Sequence, residues 1–82
     1  MSDSEPALVV TKEVDARGLN CPLPILKAKK ALNDMQSGQL IKVVSTDSGS
    51  KRDFEAFARQ TGNALVRLEE LDNVWTFFLQ RR

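Results

Sequence analysis

The fold is decided by residues 15–24, which read DARGLNCPLP and contain the only cysteine of the chain, Cys21. A helical pattern begins immediately after this stretch. Proline has no N–H group, and the first turn of a helix leaves its N–H groups without partners inside the helix. We therefore expect Pro22 and Pro24 at the first and third positions of a helix, with Cys21 as the residue at its cap.

A sulfur atom at a helix start is expected to be reactive. Backbone N–H groups and the positive end of the helix dipole converge there, and both favour the thiolate over the thiol. The dipole contributes about 0.3–1 kcal/mol, and up to ~2 kcal/mol at a partly buried site. At about 1.4 kcal/mol per pKa unit, we expect the pKa of Cys21 to be lowered by roughly one unit or less.

Length and composition indicate a single soluble globular domain. The chain has 82 residues, of which 41% are hydrophobic and 28% charged. Its net charge of +1 gives no overall attraction to nucleic acid or to membranes. No apolar run approaches the ~20 residues that cross a bilayer, and the first residues, MSDSEP, do not resemble a signal peptide. We therefore expect a cytoplasmic protein that does not bind a membrane.

The residue types that are missing exclude several kinds of chemistry. One cysteine cannot form an internal disulfide or a C-x-x-C redox pair. The chain has no histidine, so a Cys-His hydrolase cannot be built without a partner chain, and a zinc site is improbable. We expect no metal and no cofactor, and any chemistry must depend on Cys21 and the charges around it.

The order of elements is expected to be βαβαββ, after a flexible tail over residues 1–7 and within one domain over residues 8–82. Strands are predicted over residues 8–14, 40–45, 64–71 and 74–80, and helices over residues 22–35 and 51–61. A loop is expected over residues 15–20. Ser50 with Asp53 resembles a capping box, Gly62 is suited to a helix C-terminal cap, and Asp72-Asn73 indicates a tight hairpin.

The helices and the last strand supply the predicted core. One stripe of the first helix holds Ile25, Ala28, Ala31, Leu32 and Met35, and one stripe of the second holds Phe54, Phe57, Ala58 and Thr61. Each helix follows a strand, so both are expected to cross over on the right-handed side and cover one face of the sheet. The predicted fold class is α/β (α+β), a two-layer sandwich with a four-stranded mixed sheet and one open face.

Two leucines lie outside the predicted stripe of the first helix. Leu23 and Leu26 are three residues apart on its other side, near Cys21. In one interpretation they are covered by the preceding loop. In the other they form an apolar patch that docks another protein.

The stretch around Cys21 resembles the TusA family of small sulfur-carrier proteins, also called the SirA-like family. The shared pattern is a Gly-Leu-x-Cys-Pro-x-Pro run after a first strand, here residues 18–24, preceded by Asp15. The similarity continues through the lysine-bearing first helix to Asp47 and Asp53 and covers nearly the whole chain past the tail. The resemblance implies the βαβαββ sandwich. It also implies that Cys21 accepts sulfane sulfur as a persulfide and passes it on.

The resemblance also implies which proteins exchange sulfur with Cys21, and the residues around Cys21 have expected roles of their own. A cysteine desulfurase would be the sulfur donor, and the acceptor would serve tRNA thiolation, molybdenum-cofactor assembly or another sulfur pathway. The motif and its loop are supported by Asp15, Gly18, Leu19, Pro22 and Pro24. The residues expected to face partner proteins are Arg17, Leu23, Leu26, Lys27 and Lys30.

The residues themselves favour a carrier independently of the resemblance. A carrier needs one nucleophilic sulfur and no second thiol nearby, since a second thiol would convert the persulfide into a disulfide. It also needs an exposed sulfur that two proteins reach in turn, and a loop before a helix offers that position. It needs no general base if its partners supply the proton chemistry. The three cations Arg17, Lys27 and Lys30 are expected to attract an acidic partner and to favour anionic sulfur modestly.

Two other functions are considered. A non-catalytic regulatory or interaction module could use the open sheet face and the two leucines alone. RNA binding has little support, because the charge is nearly neutral, tyrosine is absent and the aromatic residues are expected in core stripes. The default expectation is a monomer that binds its partners transiently.

Overall fold

The structure is a computed structural model that describes residues 9–82. The expected tail over residues 1–7 and the predicted strand residue Leu8 lie outside this range. The elements are β1 (Val10–Ala16), α1 (Leu23–Asn33), β2 (Leu40–Ser45), α2 (Ser50–Thr61), β3 (Ala64–Leu71) and β4 (Val74–Gln80). Their order is the predicted βαβαββ.

The four strands form one mixed sheet in the order β1-β2-β4-β3. β1 pairs in parallel with β2, and β4 pairs antiparallel with both β2 and β3. α1 contacts β1 and β2, α2 contacts β3 and β4, and the two helices contact each other. The predicted two-layer fold class is confirmed. Since β1 and β2 run the same way side by side, the loops that follow them meet at one end of the sheet.

The core lies between the helices and the sheet and is centred on a phenylalanine pair. Phe54 of α2 and Phe77 of β4 are both fully buried, and their rings stack with centroids 4.4 Å apart. The predicted stripe of the first helix is confirmed as far as Leu32, because Ala28 and Leu32 are buried and Ile25 and Ala31 pack against the core. The predicted end at residue 35 is wrong, because α1 ends at Asn33, although Met35 is buried beyond it. The first helix is thereby fixed over the end of β1, immediately after the cysteine-bearing loop.

Most predicted strand boundaries are confirmed, but the first strand is displaced. β1 includes Asp15 and Ala16, which were expected in the loop. Its pairing with β2 continues through Asp15↔Val44 and Ala16↔Ser45, and Ala16 is fully buried. Pairing with a neighbour therefore outweighs the local turn signal of the sequence. The predicted hairpin is confirmed, with Asp72 at φ 52° and Asn73 at φ 63°.

The expected capping box of α2 is wrong. The N-cap residue is Gly49, which makes no side-chain cap hydrogen bond. Ser50 cannot cap because its hydroxyl is buried and lies 2.6 Å from the hydroxyl of Ser45. The predicted C-terminal cap is confirmed, because Gly62 has φ 81° and its N–H donates to the carbonyl of Ala58.

The open sheet face carries one aromatic residue that was expected in a core stripe. Phe78 lies on the face opposite to Phe77, because successive strand residues alternate between faces. Its neighbours across the sheet are Lys42 and Arg67, and the guanidinium carbon of Arg67 lies 6.0 Å from the ring centroid. Phe78 is only 9% exposed, and the guanidinium of Arg67 lies over its ring.

Asn63 joins the end of α2 to the end of β4. Its side-chain amide donates to the Thr61 hydroxyl at 3.0 Å, and its side-chain carbonyl accepts the Arg82 N–H at 2.8 Å. We expect Asn63→Ala to lower the free energy of unfolding by about 1–3 kcal/mol, because two hydrogen bonds of a buried side chain are lost at about 0.5–1.5 kcal/mol each. Urea unfolding measures this value, and a loss below about 0.5 kcal/mol would contradict the proposed role of Asn63.

Within residues 9–82 no helix is both long enough and apolar enough to cross a membrane.

Candidate functional site

Cys21 is exposed in the loop between β1 and α1. The expected position at the helix cap is wrong by one residue, because the N-cap is Pro22 and the helix begins at Leu23. Pro24 is therefore the second helical residue, and it is fully buried. The Cys21–Pro22 peptide bond is cis. The expected exposure of the sulfur, which a carrier requires, is confirmed.

The loop before Cys21 is held by hydrogen bonds to Asp15, at the end of β1, and to Thr46, in the loop after β2. Asp15 accepts hydrogen bonds from the Arg17 backbone N–H at 3.1 Å and from its guanidinium at 2.9 and 3.0 Å. These bonds hold the pKa of the Asp15 carboxyl at about 2. Gly18, at φ 80°, donates its N–H to the Thr46 hydroxyl at 2.9 Å, and Leu19 packs on the core. The motif residues therefore anchor the loop and leave the cysteine exposed.

Cys21 borders two depressions in the surface. The larger has a volume of about 710 Å³ and lies against the start of α2; besides Cys21 it is lined by Asp47, Ser48, Gly49, Lys51, Arg52, Asp53 and Glu55. The smaller, of about 210 Å³, lies between the helices and is lined by Cys21, Pro22, Ile25, Asp53, Ala56, Phe57 and Gln60. Cys21 is therefore open to solvent on two sides.

Sequence reasoning missed the acidic side of this site. Asp47 and Asp53 were noted only as positions of family resemblance and as a capping residue. The parallel pairing of β1 and β2 brings the β2–α2 loop beside the β1–α1 loop, so residues after β2 come close to Cys21. The carboxyl ends of adjacent parallel strands are where ligand sites form in such sheets. Applied to the predicted topology, that rule would have indicated that the residues after β2 lie near Cys21.

The expected lowering of the cysteine pKa is wrong. The neighbouring carboxylate of Asp53 raises the pKa of Cys21, and partial desolvation and the negative charge of Asp47 raise it further. The start of α1 offers the sulfur little compensation. Pro22 and Pro24 have no N–H group, and the N–H of Leu23 donates to the Asn20 carbonyl at 2.8 Å. The thiol form is thereby favoured in the free protein.

The three cations expected to favour anionic sulfur do not determine its charge. Arg17 is paired with Asp15, and the Lys27 ammonium donates to the Asp15 carbonyl at 3.2 Å. Lys30 is exposed on α1. The charged groups that act on Cys21 are acidic, so the predicted stabilisation of the thiolate by these cations is wrong.

Leu23 and Leu26 form an exposed apolar pair on α1, which we call the α1 patch. Their exposed fractions are 47% and 52%, so the interpretation in which the preceding loop covers them is wrong. Lys27 and Lys30 are exposed on the same helix. Within residues 9–82 no three acidic or cysteine side chains are grouped closely enough to hold a metal ion.

Comparison with known proteins gives a consistent result. The profile of the family described as "Sulfurtransferase TusA" matches residues 12–81. The sulfur carrier protein TusA of Allochromatium vinosum is 54% identical over 70 residues, which cover 85% of this chain and 92% of that protein. A putative sulfur carrier protein of Neisseria meningitidis is 50% identical over 72 residues, which cover 88% of this chain and 97% of that protein.

A solved structure supports the same relationship. The crystal structure of the SirA-like protein from Desulfitobacterium hafniense matches with a TM-score of 0.74 and 27% sequence identity. The match covers 84% of this chain and 95% of that chain. Both the fold and the sequence therefore point to one family.

Proposed function

This chain belongs to the TusA family of sulfurtransferases, and on that premise we propose that it carries sulfane sulfur as a persulfide on Cys21. The donor is a cysteine desulfurase. The sulfur of Cys21 attacks the outer sulfur of the donor's persulfide, the donor's S–S bond breaks, and the donor's thiolate leaves. A second protein then takes the outer sulfur from Cys21 by the same exchange, for tRNA thiolation, molybdenum-cofactor assembly or another sulfur pathway.

The observation that carries this proposal is the exposure of a single thiol. Cys21 is the only cysteine of the chain, and its side chain borders two open depressions. A persulfide formed there meets no second thiol in the same chain, so it does not collapse into an internal disulfide. Because the sulfur is exposed, two different proteins can approach it in turn.

The rigidity of the loop supports directed transfer. The bonds of Asp15 and Gly18, together with buried Pro24, fix the backbone on both sides of Cys21. Holding reacting groups in a fixed geometry lowers the entropic part of a reaction barrier. A fixed sulfur therefore meets the incoming persulfide of a docked protein without a search of loop conformations.

We propose that partners dock on the α1 patch beside the sulfur. Leu23 lies two residues after Cys21 and Leu26 lies on the next turn, so a protein that covers them also covers the thiol. Lys27 and Lys30 add positive charge at the edge and favour an acidic partner surface. Arg17 lies on the other side of the cysteine and keeps its bond to Asp15 in this arrangement.

Introducing a charge into the α1 patch tests this docking. We expect Leu26→Asp to weaken desulfurase binding about tenfold or more, because an apolar contact is lost and a carboxylate is buried on binding. Titration calorimetry with the desulfurase measures the dissociation constant. The control is Val66→Asp on β3, where the exposed fraction is a similar 46%. Equal binding by both variants would exclude the α1 patch as the docking surface.

The function itself is tested by incubation with a cysteine desulfurase and free cysteine. We expect the intact mass of the protein to increase by one sulfur atom, and a thiol reductant to restore the original mass. An unchanged mass, in a reaction where the desulfurase is active, would contradict the proposal.

A further inference from the structure

Two carboxylates lie beside the reactive sulfur although the proposed function has given them no role. Asp53 stands in the first turn of α2 and borders both depressions that Cys21 borders. Asp47 lies in the loop before α2 and borders the larger one. A Cβ atom placed on Gly49 would lie 3.5 Å from one oxygen of Asp47 and 4.0 Å from one oxygen of Asp53. The two carboxylates therefore crowd the same small space.

Hydrogen bonds fix the backbone at Asp47 and Asp53. The hydroxyl of Ser45 accepts the N–H of Asp47 at 3.1 Å and lies 2.6 Å from the hydroxyl of Ser50. The N–H of Asp53 donates to the Gly49 carbonyl at 3.1 Å, which keeps Asp53 in the helix. One carboxylate oxygen of Asp47 is buried and has no hydrogen-bond partner among residues 9–82. These bonds fix the backbone at both acidic residues beside the depression that Cys21 borders.

The other charged groups around the depression compensate only weakly. Lys51, Arg52 and Glu55 border the same depression and are exposed on α2, where solvent screens their charges. From the side of the cysteine loop, Arg17 and Lys27 are bound to Asp15. The immediate surroundings of the sulfur are therefore dominated by negative charge.

We propose that Asp53, whose carboxylate shares both depressions with Cys21, is a positioning residue whose negative charge keeps the sulfur protonated until a partner protein docks. The inference rests on the proposed function of Cys21. In the free carrier, an exposed thiol that is protonated resists oxidation and reaction with small electrophiles, because the thiolate is the reactive form. A cationic group that a docked partner brings to Asp53 removes this restraint, so the sulfur becomes reactive in the complex.

The proton balance of the transfer is simple. When the Cys21 sulfur bonds to the outer sulfur of the donor's persulfide, it releases its proton. The donor's S–S bond breaks, and the departing donor thiolate takes that proton. The donor ends as a thiol, Cys21 ends as a persulfide, and Asp53 ends ionised as it began. No oxidant or reductant is consumed, because one S–S bond is exchanged for another.

The effect on reactivity follows from thiol chemistry. Each unit by which a thiol pKa exceeds the ambient pH lowers the thiolate fraction about tenfold, while the remaining thiolate becomes only roughly threefold more nucleophilic. The net reaction with an electrophile is therefore about threefold slower per unit. Removing the charge of Asp53 without changing its shape should reverse this effect.

The test is the pH profile of alkylation of the free protein by iodoacetamide. We expect Asp53→Asn to move the midpoint to lower pH and to raise the rate near neutrality about threefold for each unit by which the midpoint moves. Asp53→Glu, which keeps the charge, should stay close to the original protein. Glu55→Gln, which removes a charge from the same depression, should leave the profile unchanged. Asp53→Ser is a second neutral variant suited to a first helical turn and should behave like Asp53→Asn.

The inference is overturned if the profiles of both neutral variants coincide with that of the original protein, or if Glu55→Gln moves the midpoint as far as they do. Circular dichroism confirms that each variant is folded. The measurement uses a small electrophile and no sulfur donor, so its outcome does not depend on the carrier function. A shifted midpoint without sulfur loading would refute the carrier and leave the role of Asp53 in place.

Discussion

We expect replacement of Cys21 by serine to abolish the sulfur gain completely. A hydroxyl oxygen does not accept sulfane sulfur as a persulfide, and the chain has no second cysteine that could substitute. The fold should be unaffected, because Cys21 is exposed and surface substitutions usually change the free energy of unfolding by less than about 0.5 kcal/mol. Intact-mass spectrometry after incubation with a desulfurase and cysteine measures the effect, and thermal unfolding verifies the fold.

The same variant separates a carrier from a non-catalytic interaction module. If the protein acts only by binding, Cys21→Ser retains its biological role in a complementation assay, and Leu26→Asp or charge reversal at Lys27 and Lys30 abolishes it. If it carries sulfur, Cys21→Ser fails although it still binds its partners. A Cys21→Ser protein that gained sulfur, or that complemented fully, would contradict the central role of this residue.

Truncating Phe54 to alanine has the largest expected effect on stability. Phe54 is fully buried, stacks on Phe77 at 4.4 Å and meets Phe57 edge to face at 6.3 Å. Loss of such a ring costs about 3–5 kcal/mol, because transfer energy is lost and a cavity remains. A domain of this length has a total stability of about 4–12 kcal/mol, so the variant should lose at least about a quarter of its stability.

Thermal unfolding by circular dichroism measures the effect of Phe54→Ala. We expect the melting temperature to fall by at least about 12 °C, at about 4–8 °C per kcal/mol for a domain of this size. The control is Leu71→Ala, since Leu71 is 74% exposed and should change the stability by less than about 0.5 kcal/mol. A fall of less than about 4 °C for Phe54→Ala would show that the ring does not hold the two layers together.

The architecture could be predicted because local and long-range signals agree. β2 combines continuous apolar residues with a central position in the sheet, and the Asp72-Asn73 turn adopts the positive φ values that a tight hairpin requires. Where the signals conflict, pairing and packing prevail. Ala16 belongs to β1 because it pairs with Ser45, although the sequence indicates a loop.

The site could be predicted only in part. The exposed sulfur and the anchoring of its loop by Asp15 were confirmed. The pKa direction was wrong, because it was argued from the helix that follows Cys21 and from cations close in sequence. The groups that determine it, Asp53 and Asp47, follow β2 and come close to Cys21 only through the parallel sheet. Residues close to Cys21 in sequence do not reveal that Asp53 and Asp47 lie near it in the fold.

The central claim is that Cys21 carries sulfur between proteins. It is tested most directly by charging the protein with a cysteine desulfurase and cysteine, and then locating the added sulfur by mass spectrometry of peptides. We predict one additional sulfur atom on the peptide that contains Cys21, removed by a thiol reductant. An unmodified Cys21 peptide, in a reaction in which another TusA protein is charged in parallel, would contradict the account.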